Sequence, residues 1–104
     1  MTTKFEWDIA KAQSNLHKHG VAFDDAIAVF ADPFAMMSQD RIEGGELRWQ
    51  TLGSVGGCLL LLVAHTVGED GEGIEIIRII RIIRIISARA ADRKKRIRYE
   101  NQNG

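Results

Sequence analysis

Apolar side chains recur at helical spacing in the N-terminal part of the chain and predict two helices there. The first begins after Asp8, a good N-cap residue, and ends at Gly20, with apolar residues three and four positions apart between them. A second helix is expected from residue 24 or 25 to about residue 31, because Pro33 disfavours helical backbone in the residue before it.

The pattern beyond Pro33 is typical of strands joined by glycine turns. Glu43-Gly44-Gly45 is a turn sequence, and Gly56-Gly57 is of the kind that closes a two-residue hairpin. A loop is expected over residues 67–73, which are rich in glycine and acids. The expected strands are 34–38, 47–55, 58–66 and 74–87, followed by a basic helix over about 89–100. The prediction is one α+β domain over residues 1–104, with an antiparallel sheet of about four strands.

A triplet repeated without error, IIRIIRIIRII, occupies residues 76–86. We interpret it as strand because isoleucine is β-branched. Since a strand has a period of two, Arg78 and Arg84 would lie on one face and Arg81 on the other. Either these arginines bind phosphates, or an expanded repeat has lengthened an ordinary strand. We favour the second interpretation.

The repeat also affects how the predicted strands match in length. The strand over residues 74–87 is longer than the strand over residues 58–66 that we expect beside it. Part of it would then lack a partner, and unpaired strand edges are templates for another chain. This predicts a homodimer through residues 74–87, formed by strand pairing or by exchange of the C-terminal helix.

Charge is divided unequally along a chain whose formal net charge is zero. Residues 1–77 carry 12 acidic and 5 basic side chains, whereas residues 78–104 carry 2 acidic and 9 basic side chains, most of them arginine. The planar guanidinium fork matches phosphate geometry, so this split favours a polyanionic or acidic partner. A solvated helix face is the alternative explanation on charge alone.

The remaining composition argues against several other classes of protein. No apolar run reaches the ~18 residues that span a bilayer, and residues 1–8 lack the apolar core of a secretory signal. Cys58 is the only cysteine, which leaves no intrachain disulfide and fits a cytoplasmic location. With no second cysteine beside His17, His19 and His65, a metal site is not expected.

Several segments together resemble one family, the BrnT toxins of bacterial type II toxin–antitoxin systems, a branch of the RelE-like ribonuclease toxins. They are FEWDIAKAQSNLHKHGVAFDDAIAVFADP (5–33), IEGGELRW (42–49), LGSVGGCLLLLVAHT (52–66) and IIRIISARAADRKKRIRYE (82–100), in the family's order. The chain departs from the family pattern in the repeat, where it carries about six additional residues. Because six is an even number, the side chains beyond the insertion stay on the same faces of the sheet.

The resemblance implies a RelE-like fold and a ribonuclease that slows translation, with no metal and no organic cofactor. It also implies two macromolecular partners. One is the RNA substrate. The other is a small antitoxin with a ribbon-helix-helix DNA-binding domain, in a complex that represses its own operon.

The same resemblance directs attention to Arg, Lys and Tyr side chains, because metal-free RNA cleavage needs a base, a cation beside the phosphate and an acid. Arg89, expected just after the last strand, and Arg93, one helical turn later, are candidates to clamp phosphate. Lys18 and His19 are candidates at the end of the first helix, where capping of the helix C-terminus explains them almost as well. Tyr99 is a candidate acid that is as easily explained by packing on the sheet.

His65 lies on the same strand face as Leu59, Leu61 and Val63, and we interpret it as a buried core histidine rather than a catalytic one. The alternative to an endoribonuclease is a non-catalytic binding protein whose basic C-terminal segment docks an acidic partner or nucleic acid. A toxin disabled by its repeat is a further possibility.

Overall fold

The computed structural model describes residues 2–57, 59–72 and 78–103 of the chain. Two helices lie near the N-terminus, a five-stranded sheet forms the centre, and a third helix ends the chain. The elements are β1 (Thr2–Glu6), α1 (Ile9–His19), α2 (Phe23–Ala26), a 3₁₀ helix (Ile27–Ala31), β2 (Met36–Glu43), β3 (Glu46–Val55), β4 (Leu59–Glu72), β5 (Arg78–Ala90) and α3 (Arg93–Asn103). The α+β prediction is confirmed.

The caps of α1 are those that the sequence predicts. The Asp8 carboxylate accepts a hydrogen bond from the backbone N–H of Lys11 at 3.1 Å. Gly20 adopts a left-handed conformation (φ 68°), and its N–H donates to the carbonyl of Leu16 at 2.9 Å. The second predicted helix is present but changes geometry: α2 ends at Ala26 and the chain continues as a 3₁₀ helix up to Ala31.

The sheet is mixed, with strand order β1-β5-β4-β3-β2. β1 runs parallel to β5 and pairs Phe5 with Ile83 and Glu6 with Arg84, whereas the other neighbouring strands are antiparallel. The prediction of about four antiparallel strands therefore missed one parallel edge strand. TTKFE carries no marked strand pattern of its own, and its partner lies far along the chain, so its pairing is a tertiary effect.

Two predicted boundaries near the repeat are wrong. Residues 67–72 form the end of β4 rather than a loop, because they pair with β5 as far as Glu72 opposite Arg78. The last helix begins at Arg93 rather than at Arg89, since β5 pairs with β4 up to Ala90 and Asp92 caps α3 by accepting from the N–H of Lys95 at 2.9 Å. Residues 73–77 and Cys58 lie outside the described residues.

The expected mismatch in strand length is also wrong for the described residues. β4 runs alongside β5 from Leu61 opposite Ala90 to Glu72 opposite Arg78, with one irregularity between Ala64 and His65. The pairing of β3 with β4 ends earlier, at Trp49 opposite His65. Over residues 66–72, β4 therefore pairs with β5 but not with β3, so this stretch of β4 has one edge without a strand partner.

The paired glycines form the two turns on either side of β3. Gly56 and Gly57 both have positive φ (63° and 75°), as a primed two-residue turn requires. The turn at Gly44-Gly45 joins β2 to β3, and β2 is longer than the predicted 34–38 because it pairs with β3 as far as Glu43 opposite Glu46.

The sheet separates a closed face from an open face. The main core lies between the sheet and the N-terminal helices; its buried members are Val21, Phe23, Ala26, Val29, Leu61, Val63, Ile85 and Ala88. On the opposite face a small cluster of Leu52, Leu60 and Leu62 packs against Met36, Ala91 and Tyr99. Among the described helices, α3 packs on this second side and α1 reaches it only with its C-terminal end, so much of that face is left open. Among the described residues, no helix is long and apolar enough to cross a membrane.

Candidate functional site

A cavity of about 260 Å³ lies on the open face of the sheet, and we call it the central cavity. His19, at the end of α1, and Arg89, near the end of β5, both line it. The other lining residues are Asp40, Arg41, Gln50, Leu62, Ala64 and Ser87. Two of the sequence-predicted site residues, 70 positions apart in the chain, are therefore brought to one site.

Strand alternation places Arg89 in the central cavity. Ala88 is fully buried in the main core opposite Val63, so the next residue, Arg89, points to the other face, opposite Leu62. Gln50 on β3 pairs with Ala64 on β4 and lies on the same face. The sheet thus carries a cation and an amide on the same face, on the two strands that flank β4.

Two neighbouring cavities extend the central cavity in both directions. Toward α1, a cavity of about 250 Å³ shares His19 and Ser87 with it and adds Lys11 and Lys18. Toward α3, a cavity of about 290 Å³ shares Gln50 and Leu62 with it and is also lined by Ser38, Lys95, Arg98 and Gln102. We call the three together the basic groove. Among the described residues, its charged lining side chains are Lys11, Lys18, Arg41, Arg89, Lys95, Arg98 and one acid, Asp40.

The basic groove suits an extended polyanion. Its cations come from helices α1 and α3 and from strands β2 and β5. They therefore line a path across the sheet rather than a single point. Single-stranded nucleic acid is bound in this way, by a positively charged groove that tracks the backbone. Lys18 and His19 occupy the last turn of α1, where they also complement the helix dipole.

The family model for "Ribonuclease toxin, BrnT, of type II toxin-antitoxin system" matches residues 7–95. The chain belongs to this family. The match spans α1, most of the sheet and the start of α3, and thus includes the residues of the central cavity.

The fold of this BrnT-family chain is similar to a solved structure of the same family. The 1.1 Å crystal structure of the Brucella abortus ribonuclease toxin BrnT aligns with a TM-score of 0.56 and 22% sequence identity, over 89% of this chain and 100% of that chain. Among curated protein sequences, none matches this chain.

Arg93 does not share the environment expected for it. The prediction placed Arg89 and Arg93 one turn apart on a helix, whereas Arg89 lies on β5 and Arg93 is the exposed first residue of α3. Arg93 is not among the residues that line the central cavity. That these two side chains clamp one phosphate together stays a prediction. The helical spacing on which it was based is absent, because the two residues lie on different elements.

Tyr99 anchors α3 to the body of the protein. Its ring packs against the Leu52, Leu60 and Leu62 cluster, and its hydroxyl donates to Asp32 Oδ2 at 2.6 Å. This hydrogen bond to a carboxylate, with a smaller effect of burial, raises the pKa of Tyr99 to about 12. At neutral pH Tyr99 thus keeps its proton and donates it in a hydrogen bond to Asp32, which favours the packing explanation over a role as acid.

Asp32 is the acceptor at the centre of this contact. Burial acts to raise the pKa of the Asp32 carboxyl, but hydrogen bonds from Tyr99 and from the backbone N–H groups of Ser54 and Phe34 outweigh it and leave the pKa below its ordinary value. The carboxylate therefore stays charged and joins the end of the 3₁₀ helix, β3 and α3.

His65 is a core residue, as expected. It is fully buried, its Nε2 accepts from Thr51 Oγ1 at 2.7 Å, and its Nδ1 donates to the carbonyl of Thr66 at 3.2 Å. Phe30 packs edge-on against the ring at 4.9 Å. Burial lowers the pKa of His65 despite the opposing hydrogen bond to Thr66, so the ring stays neutral inside the core.

Sequence reasoning missed several groove residues, among them Lys11, Asp40, Arg41, Gln50, Lys95 and Arg98. Arg41 and Asp40 lay beyond the short strand predicted over 34–38, and a β-bulge between Gln39 and Arg41 redirects the side chains there. Gln50 could have been found, because strand alternation separates it from Thr51, which faces the core.

Proposed function

We propose that this BrnT-family chain is an endoribonuclease that binds RNA along the basic groove, cleaves it at the central cavity without a metal ion, and thereby slows translation. The observation that carries the proposal is the meeting of His19 and Arg89 in one cavity, with Arg41 beside them. The family membership supplies the reaction class.

The proposed chemistry is attack of the ribose 2′-oxygen on the adjacent phosphorus. The P–O5′ bond breaks, leaving a 2′,3′-cyclic phosphate and a 5′-hydroxyl. Arg89 and Arg41 stabilise the negative charge that develops on the phosphoryl oxygens. His19 takes the proton of the 2′-hydroxyl as base, and the protonated imidazole or a water molecule then gives a proton to O5′. Lys18, Lys95 and Arg98 hold the strand on either side.

The test is cleavage of RNA by the purified chain in EDTA, with single substitutions. Arg89→Ala is expected to lower the rate by about one to three orders of magnitude, because it removes charge stabilisation in the transition state. Arg93→Ala tests the remaining member of the predicted clamp in the same assay. Arg96→Ala removes an exposed arginine of α3 and serves as the matched control. If Arg89→Ala and Arg93→Ala both keep full activity while folded, the site assignment is wrong.

Binding without cleavage would support the alternative function, a non-catalytic protein whose groove docks nucleic acid or an acidic partner. If the full-length chain binds RNA without cleaving it, and a chain shortened to a single Ile-Ile-Arg-Ile-Ile run cleaves it, the full-length chain is a toxin disabled by its repeat. Expression of the gene alone and with its genomic neighbour, followed by growth and RNA integrity, tests the effect on translation.

A type II toxin of this family implies an antitoxin partner. We further propose that this partner carries a ribbon-helix-helix domain and that the pair represses its own operon. The homodimer through residues 74–87 also stays a proposal. Because β5 is paired with β4 on one side and with β1 over Ile80–Arg84 on the other, strand pairing would use the β4 edge at residues 66–72 instead.

A further inference from the structure

Asn15 joins the helix that carries His19 to the strand that carries Arg89. Its side chain is 5% exposed, and both its amide nitrogen and its amide oxygen are hydrogen-bonded to backbone groups. Nδ2 donates to the carbonyls of Val21 at 2.9 Å and Ala88 at 2.8 Å, while Oδ1 accepts from the N–H of Ala88 at 3.0 Å.

The contact with Ala88 replaces a missing strand partner. β1 pairs with β5 only as far as Arg84, so the edge of β5 is uncovered four residues later. There the amide of Asn15 donates to and accepts from the same residue, as a neighbouring strand would. A single side chain thereby fixes α1 against β5 in one register.

The two residues that this register aligns are the two candidates of the central cavity. His19 lies four residues after Asn15, which is about one helical turn along the same face of α1. Arg89 directly follows Ala88, the residue that Asn15 holds. The third contact, to Val21, fixes the chain just beyond Gly20 and so restrains the end of the helix that presents His19.

We propose that Asn15 is a positioning residue for RNA cleavage, which holds His19 and Arg89 at the separation that the reaction needs. The inference rests on the proposed function, since it gives a role to the geometry of that cavity. Asn15 lines the cavity toward α1 but acts through its backbone contacts rather than on the phosphate. Small displacements of catalytic groups have large effects on rate, because the reaction needs a near-attack geometry.

The test is a double-mutant cycle of Asn15→Ala with His19→Ala, measured as kcat and KM for one RNA substrate per folded molecule. Asn15→Ala is expected to lower kcat by about 10- to 100-fold with little change in KM. In the double variant, kcat should equal that of His19→Ala within about threefold. Once the His19 imidazole is absent, removing Asn15 can no longer lower the rate by misplacing it. Amide exchange at Ala88 should accelerate in Asn15→Ala, which reports the lost contact independently of activity.

Controls separate positioning from stability. Val29→Ala removes buried volume on the closed face, at a residue that does not line the groove, and should lower stability while leaving kcat per folded molecule unchanged. Multiplicative losses in the Asn15→Ala and His19→Ala pair, or full kcat in Asn15→Ala, would overturn the inference while the proposed function stands. Full activity in both His19→Ala and Arg89→Ala would instead remove the proposed function, and the positioning role with it.

Discussion

At the scale of single residues, the buried side chains of Asn15, Thr51 and His65 each have a defined hydrogen-bond partner. Asn15 completes the edge of β5, and Thr51 donates to His65 inside the core. Such contacts offset the cost of removing polar atoms from water, and losing one partner leaves the other unsatisfied. These residues are therefore sensitive positions although none of them is charged.

The neutral state of His65 predicts a loss of stability in acid. Its folded-state pKa lies below the ordinary value of 6.5, so unfolding takes up a proton once the pH falls below about that value. The free energy of unfolding should then decrease with falling pH by at most about 1.4 kcal/mol per pH unit from this group. Denaturant unfolding between pH 7 and 5 measures the slope.

Two variants isolate that contribution. His65→Gln should flatten the slope between pH 7 and 5, whereas His17→Gln, on the exposed surface of α1, should leave it unchanged. The pKa of Asp32 lies below 3.8, so its own contribution is lost only at lower pH and does not enter this range. An equal slope in His65→Gln and in the parent chain would show that another group is responsible.

At the scale of elements, α3 is attached differently from the other helices. α1 and α2 lie against the main core, whereas α3 contacts the sheet through Tyr99 and the small cluster beneath it. Its exposed surface is strongly basic and carries Lys95 and Arg98 into the groove. The position of these two cations therefore depends on the hydrogen bond between Tyr99 and Asp32.

Tyr99→Phe keeps the ring packing but removes the hydrogen bond to Asp32. We expect a loss of about 1 kcal/mol in stability and faster amide exchange in α3, because a hydrogen bond to a charged acceptor is lost at a half-exposed site. The KM for RNA should rise with little change in kcat, since Lys95 and Arg98 are less well placed.

The pH dependence of stability provides a second measurement on the same variant. The pKa of Tyr99 is raised from 10.0 to about 12, so its contribution is complete below pH 10 and is lost as the pH rises toward 12. This alkaline loss should be absent in Tyr99→Phe and retained in Arg96→Ala. A large fall in kcat with unchanged KM would instead indicate that Tyr99 is the catalytic acid.

At the scale of the whole molecule, the repeat lengthens one hairpin rather than disturbing the sheet. The described part of the repeat up to Arg84 pairs with residues 66–72 of β4, and after one irregularity near Ser87 the pairing continues through Arg89 opposite Leu62. One edge of the hairpin, residues 66–72 of β4, projects beyond β3. Any effect of the repeat on assembly is therefore expected at this edge.

Deletion of residues 78–83 tests this expectation. The deletion restores a single Ile-Ile-Arg-Ile-Ile run and keeps the facing of Arg89, because six residues are an even number. If the full-length chain is a homodimer, the deleted chain should be a monomer by light scattering and should keep its RNA cleavage. Deletion of residues 78–80, an odd number, is the control and should disrupt folding. Monomers for both the full-length and the 78–83-deleted chain would contradict the homodimer.

The sequence by itself determined the elements whose signals are local. The cap residues Asp8 and Gly20 bound α1, and paired glycines with positive φ bound the hairpins, because these residues act on their immediate backbone. The family resemblance was also carried by the sequence, as were Arg89 and His19 as site candidates.

Tertiary structure alone decided the parts that depend on distant partners. β1 is a strand because β5 accepts it, residues 67–72 are strand because β5 continues beside them, and Arg89 is on a strand because Leu61 pairs with Ala90. The central cavity likewise needs α1, β2 and β5 to meet on the open face, and the link between Asn15 and Ala88 spans 73 residues. Pairing over such separations is set by the energy of the whole sheet, which no local pattern of residues records.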